Sequence, residues 1–112
     1  MPTYEAINPG FSTADAEYPS LEFRSGELHL RFIDWREQPV TAVLDDVLAF
    51  RWDDFQDTSE HRDDETYIVG ESTWLRRYQL EGLATPGHKH FKLCFNEKGV
   101  LEALASGISL RS

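Results

Sequence analysis

The stretch that decides the fold is LEFRSGELHLRF, residues 21–32, in which two runs of alternating apolar and polar residues flank Ser25-Gly26. A two-residue connection between alternating runs predicts a β-hairpin. The predicted buried pairs are Phe23 with Leu28 and Leu21 with Leu30, and the predicted solvated pairs are Arg24 with Glu27 and Glu22 with His29. A single register therefore satisfies both faces.

The next stretch, VTAVLDDVLAFRW at residues 40–52, permits two interpretations. We expect the preceding strand to run to about Trp35 and residues 36–39 to reverse the chain. Apolar residues from Val40 to Trp52 fit a helical stripe, but Phe50 falls off it, and the β-branched and aromatic content is typical of strands. The strand interpretation is favoured, with a bulge or break near Asp45-Asp46.

Residues 53–65, DDFQDTSEHRDDE, form an acidic segment that has seven carboxylates against Arg62 alone. It holds −6 of the net charge of −9 and predicts a solvated loop. After it, TYIV predicts a short strand. Ser72 is placed to cap a short helix that runs through Trp74 and Tyr78 and ends near Gly82.

A second hairpin is predicted by HFKLCFNEKGVLEALA, residues 90–105, with a turn at Glu97-Lys98-Gly99. The predicted inner pairs are Phe95 with Leu101, Leu93 with Ala103 and Phe91 with Ala105. The predicted outer pairs are Cys94 with Glu102 and Lys92 with Leu104.

Together these elements predict a mainly β, α+β fold, in which antiparallel hairpins form a small sandwich or a strongly bent sheet with one short helix. The 112 residues fit one domain, because two separate cores would be too small. Residues 1–20 contain Pro2, Pro9, Gly10 and Pro19 and predict an irregular N-terminal arm. Residues 21–110 are expected to form the β-rich core.

Composition narrows the class of partner. The apolar runs are too short for a membrane span and the start lacks a signal-peptide pattern, so we expect a cytoplasmic protein without a membrane partner. The single cysteine, Cys94, excludes an internal disulfide. A net charge of −9 opposes binding to nucleic acid and suits either a basic partner or simple solubility.

Two patterns suggest metals, and both are weak. His88 and His90 form an H-x-H pair, which on a strand presents both rings on one face, but Lys92 follows on that face and would repel a cation. A solvated or hydrogen-bonded strand end is favoured for this pair. The acidic segment has Phe55 at the third position of a calcium loop and lacks the glycine at the sixth, so it fails that pattern.

Catalytic motifs are equally weak. The run Gly70-Glu71-Ser72-Thr73-Trp74 is similar to a nucleophile elbow but has Trp74 where the second glycine belongs, so a helix cap is favoured. Cys94 lies among apolar residues, which favours a packed thiol. No phosphate loop, CxxC pair or dinucleotide fingerprint is present, and we expect no cofactor. The sequence favours a non-enzymatic protein.

A partner-binding surface is one interpretation of WLRRYQLEG, with Trp74 and Tyr78 as anchors beside Arg76 and Arg77. The favoured alternative is an amphipathic helix whose Trp and Tyr pack on the sheet while both arginines stay solvated.

The segments HKHFKLCFNEKGVLEALASGISL, LHLRFIDWRE and VLAFRW resemble small β-rich bacterial proteins of uncharacterised families. Some domains of that kind are toxin-immunity proteins. The resemblance covers residues 21–110 and implies a non-enzymatic binding protein, for which the acidic segment would suit a basic toxin such as a nuclease. It implies no catalytic residue.

We therefore predict a protein-binding module for a basic partner. The alternatives are a small-molecule or metal-binding domain, with His88 and His90 as candidate ligands, and a homo-oligomer that covers a strand edge. The candidate binding residues are Asp53, Asp54, Asp57, Asp63, Asp64, Glu65, Trp74 and Tyr78.

Overall fold

The computed structural model describes residues 1–57 and 59–111, which form nine strands, one α-helix and one 3-10 turn. The strands are Thr3–Ile7 (β1), Glu17–Arg24 (β2), Glu27–Ile33 (β3), Pro39–Asp45 (β4), Ala49–Asp53 (β5), Thr66–Gly70 (β6), Lys89–Cys94 (β7), Val100–Ala105 (β8) and Gly107–Arg111 (β9). The helix α1 spans Thr73–Leu80, and the 3-10 turn spans Asn96–Lys98.

The strands form two antiparallel sheets that pack as a sandwich. The five-stranded sheet has the order β1-β6-β7-β8-β5, and the four-stranded sheet has the order β2-β3-β4-β9. One apolar core joins their inner faces, and the rings of Phe32 and Phe95 meet edge to face at 5.5 Å between centroids. The predicted mainly β fold with one short helix is confirmed.

The first hairpin has the predicted register, in which Phe23 pairs with Leu28 and Leu21 with Leu30. Ser25 and Gly26 have φ of 51° and 82°, as a tight two-residue turn between twisted strands requires. The predicted burial of Phe23 is wrong, because its side chain is 50% exposed. Phe23 lies on an edge strand, where it contacts Phe50 of the other sheet's edge strand at 5.6 Å.

Residues 40–52 are two strands with a break between them, as the favoured interpretation predicts. At the break Asp46 has φ of 50°. The Val47 amide donates to the Gly26 carbonyl (2.8 Å), and the Leu48 amide donates to the Leu104 carbonyl (2.9 Å). The break therefore carries the chain from the four-stranded to the five-stranded sheet without leaving these amides unpaired.

The predicted register of the second hairpin is wrong by two residues. Phe91 pairs with Ala103 and Leu93 with Leu101, and Cys94 pairs with Val100. The connection is longer than predicted: the Phe95 amide donates to the carbonyl of Gly99 across a 3-10 turn. Because side chains alternate with period two, a shift of two keeps every residue on its predicted face, and apolar alternation cannot detect it.

The prediction of an irregular N-terminal arm at residues 1–20 is also wrong in part. Thr3–Ile7 is an edge strand that pairs with β6, and residues 17–20 begin β2. Neither short stretch has a clear alternating pattern, and β1 is held by partners more than 50 residues away in sequence. Such a strand depends on long-range pairing, which local sequence does not encode.

The predicted strand TYIV and the predicted helix are both confirmed, as β6 and α1. The Ser72 hydroxyl accepts a hydrogen bond from the Leu75 amide (3.1 Å), as expected of an N-cap residue. Glu81 is the C-cap, one residue before Gly82. Within residues 1–57 and 59–111, no helix has the length and apolar character to cross a membrane.

Candidate functional site

The acidic segment begins at the end of β5 and runs to the start of β6, and Thr58 lies outside its described residues. The structure divides its predicted binding residues into two groups. Asp53, Asp54 and Asp57 are exposed, whereas Asp63, Asp64 and Glu65 are half-buried.

The exposed group flanks an aromatic residue in the sequence. Phe55 is 74% exposed and lies in sequence between Asp54 and Asp57. Sequence reasoning treated Phe55 only as a mismatch to a calcium loop and did not predict its exposure. The available signal was a lone Phe inside a run of carboxylates, where no core position explains it.

Local hydrogen bonds hold the exposed group in one conformation. Asp53 Oδ1 accepts from the Phe55 amide (2.9 Å), and Asp54 Oδ1 accepts from the indole Nε1 of Trp52 (2.8 Å). Asp57 Oδ1 accepts from the Ser59 amide (2.9 Å), and this bond lowers the pKa of Asp57. These carboxylates form no ion pair with a described residue.

The segment is also tied to the second hairpin. Gln56 Nε2 donates to the carbonyls of Asn96 (2.6 Å) and Asp63 (3.3 Å), and the Asn96 amide donates to the Asp63 carbonyl (2.7 Å). The His61 ring packs 4.9 Å from the ring of Tyr67. The backbone that presents Phe55 is therefore anchored at both ends.

The half-buried group has a different role. Asp64 accepts two hydrogen bonds from Arg62, each 3.1 Å long, and these bonds raise the pKa of Arg62. Glu65 Oε2 accepts from the Tyr67 hydroxyl (3.0 Å). Burial, and then this hydrogen bond, raise the pKa of Tyr67 to about 12, so the phenol keeps its proton at neutral pH.

Trp74 and Tyr78 lie on α1, outside the acidic segment. Both side chains are half-buried. The Trp74 ring meets the His90 ring edge to face at 5.2 Å, and the Arg51 guanidinium lies 4.4 Å from the Trp74 ring centroid. Trp74 therefore packs on the outer face of the five-stranded sheet, as the favoured interpretation of the sequence predicts.

A polar chain beneath Trp74 joins the helix to the sheet. Ser72 Oγ lies 2.7 Å from His90 Nδ1, and His90 Nε2 lies 2.8 Å from Glu102 Oε1. Glu102 Oε2 accepts from Arg51 at 3.1 Å. Burial raises the pKa of Glu102, but the hydrogen bond from His90 and the charge of Arg51 outweigh it and lower the pKa to about 2.

This Ser–His–Glu order resembles a catalytic triad, but its geometry suits an anchor. Ser72 Oγ already accepts a hydrogen bond from the Leu75 amide, and both ring nitrogens of His90 are engaged, Nδ1 by Ser72 Oγ and Nε2 by Glu102 Oε1. His90 is only 5% exposed and lies against Trp74. The Ser72 hydroxyl caps α1 and the His90 ring is covered by Trp74, so these groups tie the helix to the sheet.

His88 and His90, the candidate metal ligands, contact different elements. His88 Nδ1 accepts from the Thr85 amide (3.0 Å), and His88 Nε2 lies 3.1 Å from the Asp46 carbonyl oxygen. His90 is engaged by Ser72 and Glu102. Among the residues that the structure describes, no group of three His, Cys, Asp or Glu is placed to hold a metal ion.

Cys94 is fully buried between Tyr67 and Val100, as a packed thiol would be. Burial raises the pKa of Cys94 to about 12. The reactive thiolate therefore does not form at neutral pH.

An open cleft of about 410 Å³ adjoins the end of the acidic segment. Its walls come from Ile7 and Asn8, from residues 10–13, from Trp35 and Arg36, and from residues 64–66. Sequence reasoning could not find it, because the three stretches meet only through the sheet pairing. No family model, curated protein or solved structure matches this chain.

Proposed function

We propose that this chain is a non-enzymatic protein-binding module that binds a basic partner through the acidic segment, with Phe55 as the apolar contact. The observation that carries the proposal is the 74% exposure of the Phe55 side chain, which is flanked in the sequence by three exposed carboxylates that form no ion pair with a described residue. An exposed aromatic residue flanked by carboxylates is typical of an interface, in which an apolar anchor has a polar rim.

The anchoring of the segment supports this function. Binding costs free energy when a flexible loop must be ordered, and a loop already held in place avoids that cost. Gln56 and the Asx-type hydrogen bonds of Asp53 and Asp57 hold the segment in the free protein. Such a surface is preorganised for a partner.

The charge distribution also supports a basic partner. The acidic segment contributes −6 of the net −9, so its field attracts positively charged proteins and accelerates their encounter. The resemblance to immunity proteins makes a basic toxin one partner of this chemistry. Lys or Arg side chains of such a partner would meet Asp53, Asp54 and Asp57.

The test is affinity capture with three matched baits. One bait is the unchanged chain, one carries Phe55→Ala, and one carries Asp53→Asn, Asp54→Asn and Asp57→Asn. Asparagine still accepts the hydrogen bonds that these aspartates make, so the loop is expected to keep its shape. A protein retained by the unchanged bait and lost from both variants is the expected result.

The control bait neutralises three exposed carboxylates elsewhere, Glu5→Gln, Glu81→Gln and Glu97→Gln, and so changes the net charge equally. It should retain the same protein as the unchanged chain. If the control bait loses the protein while the Phe55→Ala bait keeps it, net charge rather than this surface governs binding, and the proposal is wrong.

A further inference from the structure

The cleft beside the acidic segment is lined by a residue whose buried hydroxyl has no hydrogen-bond partner among the described residues. Thr13 lines the cleft and is 1% exposed, and its Oγ1 makes no hydrogen bond with any residue in the described ranges. Buried polar groups are nearly always paired, because an unpaired one loses its interactions with water and gains nothing in return. A polar ligand atom that reached Thr13 would remove this penalty.

Among the charged groups of the cleft that the structure describes, one carboxylate forms no ion pair. Arg36 donates to Asp34 through Nε (3.2 Å) and Nη2 (3.0 Å), and Asp64 is held by Arg62. The opposite charges within each of these two pairs largely cancel. Glu65 forms no ion pair with a described residue.

The one hydrogen bond that Glu65 receives from a described side chain comes from Tyr67, which is neutral. Since the pKa of Tyr67 is raised to about 12, the phenol keeps its proton at neutral pH, donates a hydrogen bond to Glu65 and adds no competing charge. Glu65 lines the cleft, and its Oε1 receives no hydrogen bond from a described residue.

An aromatic wall completes the cleft. Trp35 is 61% exposed, although a Trp ring is among the largest apolar surfaces a protein can bury. The faces of tryptophan rings attract cations, and Arg36 already lies 5.8 Å from the Trp35 ring centroid. A carboxylate, an aromatic wall and a free hydroxyl together suit a protonated amine on a short alkyl chain.

We infer that this cleft binds a primary ammonium group, with Glu65 as its charge partner, Trp35 as the wall beside its alkyl chain and Thr13 as a hydrogen-bond acceptor. The ammonium can belong to a lysine side chain of the basic partner, which rests on the proposed function, or to a small free amine. The chemistry of recognition is the same in both cases.

The test is titration of each probe into the chain alone, with binding detected by the NMR shifts of backbone amides. The probes are n-butylamine at neutral pH, Nα-acetyl-lysine methylamide, and n-butanol as the neutral match. We expect saturable shifts for residues around the cleft with both amines, with dissociation constants on the order of millimolar. Butanol should bind at least roughly tenfold more weakly, because it lacks the charge.

Two variants define the site. Glu65→Gln keeps an acceptor for Tyr67 and should weaken amine binding roughly tenfold or more, and Thr13→Val should weaken it without unfolding the chain. Glu60→Gln, an exposed change in the same segment, should leave binding unchanged. Equal binding of butanol and butylamine, or unchanged binding by Glu65→Gln, overturns the inference.

The two probes separate the sources of the ammonium group. Tighter binding of the lysine derivative indicates a protein side chain, and equal binding of both amines indicates a free amine. A failed titration would leave the proposed function intact, because none of the residues changed in the capture experiment lines the cleft. A failed capture would contradict the proposed function but would not change the result of the amine titration, which tests the cleft alone.

Discussion

The polar chain under α1 predicts a specific pH dependence of stability, which the change Glu102→Gln isolates. Glutamine has nearly the shape of glutamate and can still accept from His90 Nε2, but it removes the charge that faces Arg51. The substitution therefore tests the charge of Glu102 rather than its packing.

The size of the expected loss of stability follows from the pKa of Glu102. A pKa lowered from 4.5 to about 2 corresponds to roughly 3 kcal/mol of preference for the charged carboxylate in the folded state. Since the side chain of Arg51 is more than half exposed, screening by water reduces the expected contribution to about 1–2 kcal/mol. Glu102→Gln should lower the free energy of unfolding at pH 7 by that amount.

The sign of the pH effect is fixed because the folded pKa is lower than the unfolded one. The stabilisation is present above about pH 4.5 and is lost as the pH falls towards about 2, where the folded carboxylate takes up its proton. The difference in unfolding free energy between the unchanged chain and Glu102→Gln should shrink over that window.

Urea unfolding at several pH values between 7 and 2 measures this difference. Glu97→Gln, an exposed glutamate without an ion pair to a described residue, is the matched control and should change stability little at any pH. A difference for Glu102→Gln that stays constant from pH 7 to pH 2, or that grows on acidification, would refute the role given to the carboxylate.

Two further predictions concern stability. Phe95→Ala should cost about 3–5 kcal/mol, as for buried aromatics, because Phe95 is fully buried. Phe23→Ala should cost only about 1 kcal/mol, since half of the side chain is exposed and full burial contributes roughly 1.5–3 kcal/mol; equal melting losses in both variants would contradict the packing described. Thr13→Val should hold or raise stability, by up to about 1 kcal/mol, because it removes an unpaired buried hydroxyl. A clear loss in calorimetry would indicate a bound partner for that hydroxyl.

The sequence predicted those parts of the fold that local rules determine. Ser25-Gly26 allows one tight turn, so the register of the first hairpin followed from the turn. Ser72 predicted the start of α1 because a cap is a local hydrogen bond. The register of the second hairpin was missed because Asn96 takes a left-handed conformation (φ 54°) in a longer connection.

The candidate site was predicted less completely, since its parts come together through long-range contacts. The acidic segment was visible as a charge run, but the separation of exposed Asp53 from half-buried Glu65 depends on packing against Tyr67 and Asn96. Thr13 had no local signal at all. Its burial follows from the position of residues 8–16 against the sheets, which no nearby sequence pattern specifies.

The most direct measurement of the proposed function is the association rate of the captured partner at about 0.05 M and about 1 M salt. The Debye length falls to roughly 3 Å at 1 M, so steering by exposed carboxylates then disappears. We expect the triple change Asp53→Asn, Asp54→Asn and Asp57→Asn to slow association on the order of tenfold at low salt and to have little effect at high salt, while melting is unchanged or slightly raised. Equal association rates for the variant and the unchanged chain at low salt would contradict binding through the acidic segment.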